Sequence, residues 1–207
     1  MARRTKEEAQ ETRALLLDTA ECLFREKGVT RTSLAEVAQK AGLTRGAIYW
    51  HFENKADLFT AMCDRATLPM EALLENMADP DQPDPLGLLR RANVQVLAMI
   101  EQDSRCRRVF EILTQKCEFV DEMASHVQRR QECRQGVRDV VRQVFENARR
   151  RGQVRADLDA ELAATALLAF IDGLILDWGL EPEAYSLAEK AGPLMDLFFS
   201  GLVGRQG

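Results

Sequence analysis

The chain has 207 residues, 46% hydrophobic and 29% charged, with a net charge of −5. That is a globular balance with length enough for a real core in one large or two small domains, and it excludes fibrous and low-complexity classes. The charge is uneven: ten Lys/Arg stand against eight Asp/Glu through Lys55, and eighteen against twenty-five beyond it. An acidic body argues against nucleic-acid binding over the whole surface and for one local contact face. No apolar run of membrane-spanning length is expected, and the charged N-terminus carries no signal-type segment. The expected compartment is the cytoplasm, with no membrane partner.

Met1 to Lys6 forms a basic arm. Arg3 and Arg4 reach phosphates or a neighbouring minor groove on one reading, and stay a solvated terminus on the other. A long helix is expected from Lys6 to Lys27, with Leu16, Leu17, Ala20, Leu23 and Phe24 as its stripe and Gly28 as its stop. The stretch TSLAEVAQKAGLTRGAIYWHFENK, Thr32 to Lys55, then reads as two short helices around a tight turn. Ser33 and Glu36 make a Ser-x-x-Glu capping box; Leu34, Val37, Ala38 and Ala41 share a helical face; Gly42 suits a left-handed stop. Thr44 caps a second helix whose only aliphatic anchors are Leu43 and Ile48. Core packing explains such a helix poorly. A helix-turn-helix explains it well, because its second helix enters the major groove with its N-terminal residues at base edges. Thr44 and Arg45 are the expected base readers, Arg45 favouring guanine O6/N7. Small Gly46 and Ala47 would let the backbone approach DNA, while Tyr49, His51 and Lys55 would sit on phosphates. Thr32, Ser33 and Trp50 complete the candidate contact set.

TRGAIYWHFENKADLF, preceded by RTSLAEVAQKAGL, resembles the DNA-binding domain of TetR-family transcriptional repressors. The opening ARRTKEEAQETR and the later KCEF resemble the AcrR-like or TtgR-like branch, which controls multidrug efflux pumps. The resemblance implies an all-α fold of about nine helices in two domains. Residues 1–53 would form a three-helix helix-turn-helix DNA-binding domain, and 54–207 a helical effector-binding and dimerisation domain. It also implies double-stranded, roughly palindromic operator DNA, a homodimer through the last two helices, and release by a small hydrophobic effector such as an antibiotic or aromatic compound.

Further along, Asn54 caps a helix that Pro69 should bend or interrupt, with Met70, Leu73, Leu74 and Met77 resuming the pattern. ADPDQPDPLG, Ala78 to Gly87, is a loop whose Pro85 opens the next helix. Helices are then expected over Leu86–Gln102, Arg105–Phe119 and about Asp121–Arg151, where Arg149 to Arg151 complement the helix dipole. Asp159 caps a helix, ELAATALLAFIDGLILDW, that is apolar nearly all round and that a dimer would cover economically. The last, Ser186–Leu202, starts with a second box (Ser186, Glu189) and holds Pro193, where a kink or late start is expected.

No nucleophile–base pair, phosphate loop or metal spacing appears, so neither cofactor nor metal is expected. Polar residues that interrupt apolar helices are the better guides to an effector pocket. Asp172 leads, either as a ligand-orienting carboxylate or as a paired or interface aspartate; Glu111 and Thr114 come next, Glu111 being equally readable as a surface charge. The resemblance adds Phe110, Met70, Val96, Cys133, Val137, Leu168 and Ile171 as apolar wall, for each of which plain core packing is the competing account. Two other classes compete with the ligand-responsive repressor. One is a redox-sensing repressor using Cys117 and Cys133 among the five cysteines, and the other a helical enzyme or carrier using Asp172 and Glu111.

Overall fold

In the computed structural model, which describes residues 6–117 and 123–203, helix α1 runs Lys6–Lys27 and ends where Gly28 takes a φ of +88°. α2 (Leu34–Lys40) begins as its cap dictates: Ser33 Oγ accepts the Glu36 N–H at 3.2 Å. Only half of the expected box forms. The Glu36 carboxylate turns to Lys27 of α1, and that hydrogen bond holds it below the usual carboxylate range. Gly42, at φ +69°, closes α2 with the Leu43 N–H on the Ala38 carbonyl at 2.9 Å. α3 (Arg45–His51) follows from its own cap, Thr44 Oγ1 accepting the Ala47 N–H at 3.2 Å. α4 (Lys55–Glu71) opens on a reciprocal pair, Asn54 Oδ1 with the Asp57 N–H and Asp57 Oδ2 with the Glu53 N–H. It stops two residues after Pro69, passing into a 3₁₀ turn at Ala72–Leu74, which is the expected interruption.

The remaining helices are α5 (Pro85–Gln102), α6 (Ser104–Glu111), α7 (Ala124–Arg150), α8 (Ala160–Leu180) and α9 (Leu187–Ser200). Among the described residues there are nine α-helices and no strand, the all-α class that was expected. α6 is shorter than the expected Arg105–Phe119: a π-helical turn takes over at Ile112–Lys116. There the Thr114 hydroxyl donates back to the Phe110 carbonyl at 2.8 Å, and the Lys116 carbonyl accepts from the Val29 N–H at 3.0 Å instead of extending a helix. α9 starts at once from Ser186, whose Oγ accepts the Glu189 N–H, and runs unbroken through Pro193. Pro193 and Glu189, whose carbonyl it leaves without a helical partner, are both exposed residues.

These helices pack into two compact units, one from the N-terminus to Thr67 plus Arg108–Arg130, the other from Leu68 to Arg107 plus Gln131 onward. The division is not at the expected 53/54 boundary. The start of α4 belongs to the first core: Leu58, Phe59 and Met62 are fully buried, and the Phe59 ring meets Phe24 of α1 edge-on at 5.8 Å. That unit also buries the Glu21 carboxylate, which Arg108 and Arg65 neutralise; unpaired, it would be costly to bury.

In the second unit α5 packs along α9 and against α8, and Arg90 grips Asp196 with two bonds of 2.6 and 2.9 Å. Asp84 caps α5 through the Gly87 N–H at 2.9 Å; a Cβ at Gly87 would fall 2.0 Å from the Asp84 carboxylate, so only glycine fits the cap. Of the arginines around the end of α7, Arg149 donates to the Leu158 carbonyl and Arg151, just past the helix, to the Pro80 carbonyl of the loop before α5, so each is held by a neighbouring segment. α8 corrects one expectation: at 21 residues it is long and apolar enough to cross a membrane by length and composition. It also carries Glu161, Asp172 and Asp177, and it buries Ala163, Ala164, Leu167, Ile171 and Trp178 inside this unit.

Candidate nucleic-acid interface

α3 is held from one side only. Ile48 is fully buried, Phe52 seals the C-terminal end as a buried cap residue, and α2 packs against the same side. The opposite side is open. Thr44, Arg45, Gly46, Tyr49 and Trp50 are exposed, Trp50 to 71%. A tryptophan so bare is expensive in water unless a partner covers it. The Arg45 guanidinium lies over the Tyr49 ring at 5.5 Å, and the Trp50 ring meets His51 edge-on at 4.5 Å.

Gly46 has no packing reason to be glycine, since the atom nearest an added Cβ is Thr44 Oγ1 at an ordinary 3.9 Å. The space it leaves open lies outside the chain. Ser33 and Thr44 use their oxygens as acceptors in the caps, and each hydroxyl keeps its hydrogen to donate outward.

Three candidates sit differently from the expectation. Thr32 is 1% exposed, and its hydroxyl donates to the Gly28 carbonyl at 2.9 Å, so it braces the turn after α1 and has no surface to offer DNA. Lys55 is 8% exposed, with Nζ on the Thr30 carbonyl at 3.2 Å, which makes it a brace between α4 and the same turn in place of an outward phosphate contact. His51 is half-buried between Trp50 and the Phe52 ring at 6.2 Å. Arg3 and Arg4 lie outside the described residues. Sequence reasoning missed Arg13, whose guanidinium packs over Phe52 at 5.2 Å; thirty-nine positions separate the pair, and no local spacing signals it.

The effector candidates divide between the units. In the first, Phe110 is half-buried, Thr114 is exposed with its hydroxyl turned to its own backbone, and Glu111 pairs with Arg25 at 3.2 Å. In the second, Met70, Val96, Val137 and Leu168 are half-buried and Ile171 is buried. Asp172 is exposed and paired with Arg134 at 2.5 Å, which is the paired alternative and not an isolated carboxylate in an apolar wall. Cys133 is exposed, its thiol on a Glu71 carboxylate oxygen at 3.3 Å.

The redox alternative finds no support. None of the five cysteines is in a disulfide, Cys117 and Cys133 included; of the others, burial and the charge of Asp64 push the Cys63 thiol well above its ordinary range, and burial beside Asp103 pushes Cys106 to about 11. Among the described residues no group of three or more His, Cys, Asp or Glu is placed to hold a metal ion.

A capped seven-residue helix with one buried side and an open side of Arg, Tyr and Trp, set against a second helix across a glycine turn, defines a helix-turn-helix DNA-binding protein. Residues 16–62 match the profile of the tetR family of bacterial regulatory proteins, and 84–203 match the C-terminal region of MAATS-type transcriptional repressors. The chain is 47% identical over 191 residues to TtgR, an HTH-type transcriptional regulator of Pseudomonas putida, covering 90% of this chain and 89% of TtgR. It superimposes with a TM-score of 0.88 and 36% identity on NalD, the secondary repressor of the MexAB-OprM multidrug efflux pump in Pseudomonas aeruginosa, over 98% of this chain and 100% of NalD. A complex of SmeT, from Stenotrophomonas maltophilia, with triclosan matches at TM-score 0.82 and 31% identity, over 95% of this chain and 93% of SmeT. The chain belongs to the TetR family of transcriptional regulators.

Proposed function

We propose that this regulator is a cytoplasmic dimeric repressor that holds a twofold operator with one α3 from each copy. A hydrophobic drug-like effector releases it, and the genes it silences include a multidrug efflux pump. The observation that carries the DNA reading is the open side of α3, where Arg45, Tyr49 and Trp50 stand uncovered on a helix anchored by Ile48. Thr44, Arg45, Gly46 and Ala47 face the bases, and Ser33, Tyr49, Trp50 and His51 the backbone.

Dimerisation is supported by α8. Its residues Leu162, Ala166, Ala169, Gly173, Leu176 and Leu180 are all exposed and follow one another at steps of four and three, the spacing of a helix–helix seam, and Leu197 of α9 is 73% exposed. Efflux control and a hydrophobic effector rest on the relatives, NalD as an efflux-pump repressor and SmeT in complex with triclosan. Met70, Val96, Val137, Leu168 and Ile171 are the wall such a ligand would meet in the second unit, with Asp172, Arg134 and Cys133 as the polar groups there. Release requires that the effector bind more tightly to a state with weaker DNA affinity, and operator must then weaken effector binding by the same factor. Titrating operator duplex with and without a panel of antimicrobials and flavonoids tests this. Weakened DNA binding with at least one ligand is expected, and unchanged affinity across a broad panel contradicts it.

A further inference from the structure

Several cations of the first unit are already occupied. Lys27 pairs with Glu36 and Lys40 with Glu26, while Arg31 donates to the Lys27 carbonyl and Lys55 to the Thr30 carbonyl. Arg45 differs. The first turn of α3 holds no acidic residue, and among the described residues the partner of Arg45 is a ring, with Tyr49's centroid 5.5 Å from the guanidinium carbon. The two are four positions apart, so they share a helix face. Because Cα–Cβ bonds tilt toward the helix N-terminus, the tyrosine leans back over the arginine.

We propose that Tyr49 is a positioning residue for base recognition: it stacks on one face of the Arg45 guanidinium and holds the in-plane fork toward a guanine edge. This rests on the reading of Arg45 as the base-contacting residue of α3. A stack consumes only the π-face of the guanidinium, and the in-plane N–H donors that guanine O6 and N7 require stay free. A carboxylate in the same place would take those donors and would also repel phosphates. A mobile arginine side chain gives up rotamer freedom when it docks; one already lying on a ring has given up part of it, so selectivity improves without a new contact to DNA. The Tyr49 hydroxyl remains available to a phosphate. The ring face and the hydroxyl therefore serve different ends and can be separated: phenylalanine keeps the face, leucine keeps bulk without one.

The test uses the purified full chain and a duplex that it selects from a randomised library, together with every single-base-pair variant of that duplex. Affinities are measured by competition, with helicity and Tm recorded for each protein. Arg45→Ala is expected to abolish a roughly 10–100-fold discrimination at one base pair per half-site. Tyr49→Leu is expected to cut discrimination about two- to fivefold at that same pair and nowhere else, the size of an exposed cation–π contact. In an Arg45→Ala background it should change nothing there. Tyr49→Phe should keep the discrimination, whatever uniform loss follows from the missing hydroxyl. If Arg45→Ala weakens all duplexes equally, Arg45 reads no base, and both the parent reading and this proposal fall. If Arg45→Ala is selective but Tyr49→Leu is sequence-blind, or Tyr49→Phe behaves like Tyr49→Leu, base reading stands and the positioning role is overturned.

Discussion

α3 and α8 both leave large side chains uncovered, with opposite chemistry. The open side of α3 combines ring faces with donors: Tyr49, Trp50 and the Arg45 guanidinium. The open side of α8 is aliphatic and small, Leu162, Leu176 and Leu180 with Ala166, Ala169 and Gly173 between them and the Thr165 hydroxyl beside them, and it carries no cation and no exposed ring. A hydrated, charged partner rewards the first kind of surface, since rings can pack on sugar and base while the donors meet phosphate and base edges. Only exclusion of water rewards the second. Exposure alone does not tell the two apart; the guanidinium and the rings do.

The largest expected effect breaks the α8 side. Leu176→Glu removes a leucine from each copy of the proposed twofold seam and places a charge there, for an expected loss of about 4 kcal/mol across the pair. Sedimentation velocity at micromolar protein should show monomer with unchanged helicity; an intact dimer would move the interface off this face.

Next comes pH, which the two units should feel differently, because both histidines of the chain lie in the first. His126 is buried against the Phe59 ring at 4.7 Å, with Nδ1 3.0 Å from the Thr60 hydroxyl. Burial above all, then the charges of Arg130 and Arg129, push its pKa from 6.5 down to about 4. Between those values the unfolded chain binds a proton that the folded chain refuses. The contribution is therefore complete above about 6.5 and is lost as pH falls toward 4, by about 2 kcal/mol at pH 5 and about 3 kcal/mol at pH 4. Urea midpoints at pH 7.5 and 5 should fall accordingly, and His126→Gln should flatten the difference.

The smallest effect is the sharpest comparison. Gly46 in α3 and Gly173 in α8 both face open space, with no atom closer than 3.9 Å to an added Cβ. Each Gly→Ala change should stabilise the isolated helix by roughly 0.5–1 kcal/mol. Gly46→Ala is expected to weaken operator binding and leave dimerisation alone, and Gly173→Ala to weaken dimerisation while leaving the operator affinity of the preformed dimer unchanged, measured at protein concentrations where both variants are dimeric. The same defect from both variants would mean that the two faces are not functionally distinct.

What was legible in the sequence was local. Ser33, Thr44, Asp159 and Ser186 each cap the helix that their spacing announced, because a cap bond closes over two or three residues. What was illegible depends on partners far along the chain. Asp172 reads as an orphan until Arg134 is beside it, and Glu21 as an ordinary surface charge until Arg108, eighty-seven residues away, covers it. Lys55 turns inward to the Thr30 carbonyl, and nothing in its neighbours says so. The open side of α3 was readable because seven residues with one deeply buried anchor leave few ways to face.

The chain's two tryptophans divide between these helices, Trp50 exposed on α3 and Trp178 buried on α8 with Nε1 on the Tyr185 carbonyl at 3.1 Å. In a Trp178→Phe variant of unchanged helicity, Trp50 is the sole emitter, and its acrylamide quenching can be followed as operator duplex is added. If α3 is the DNA-contacting helix, quenching falls several-fold at saturation and recovers when salt dissociates the complex. Quenching that stays constant while the protein is demonstrably bound to DNA would place the contact elsewhere and contradict the account.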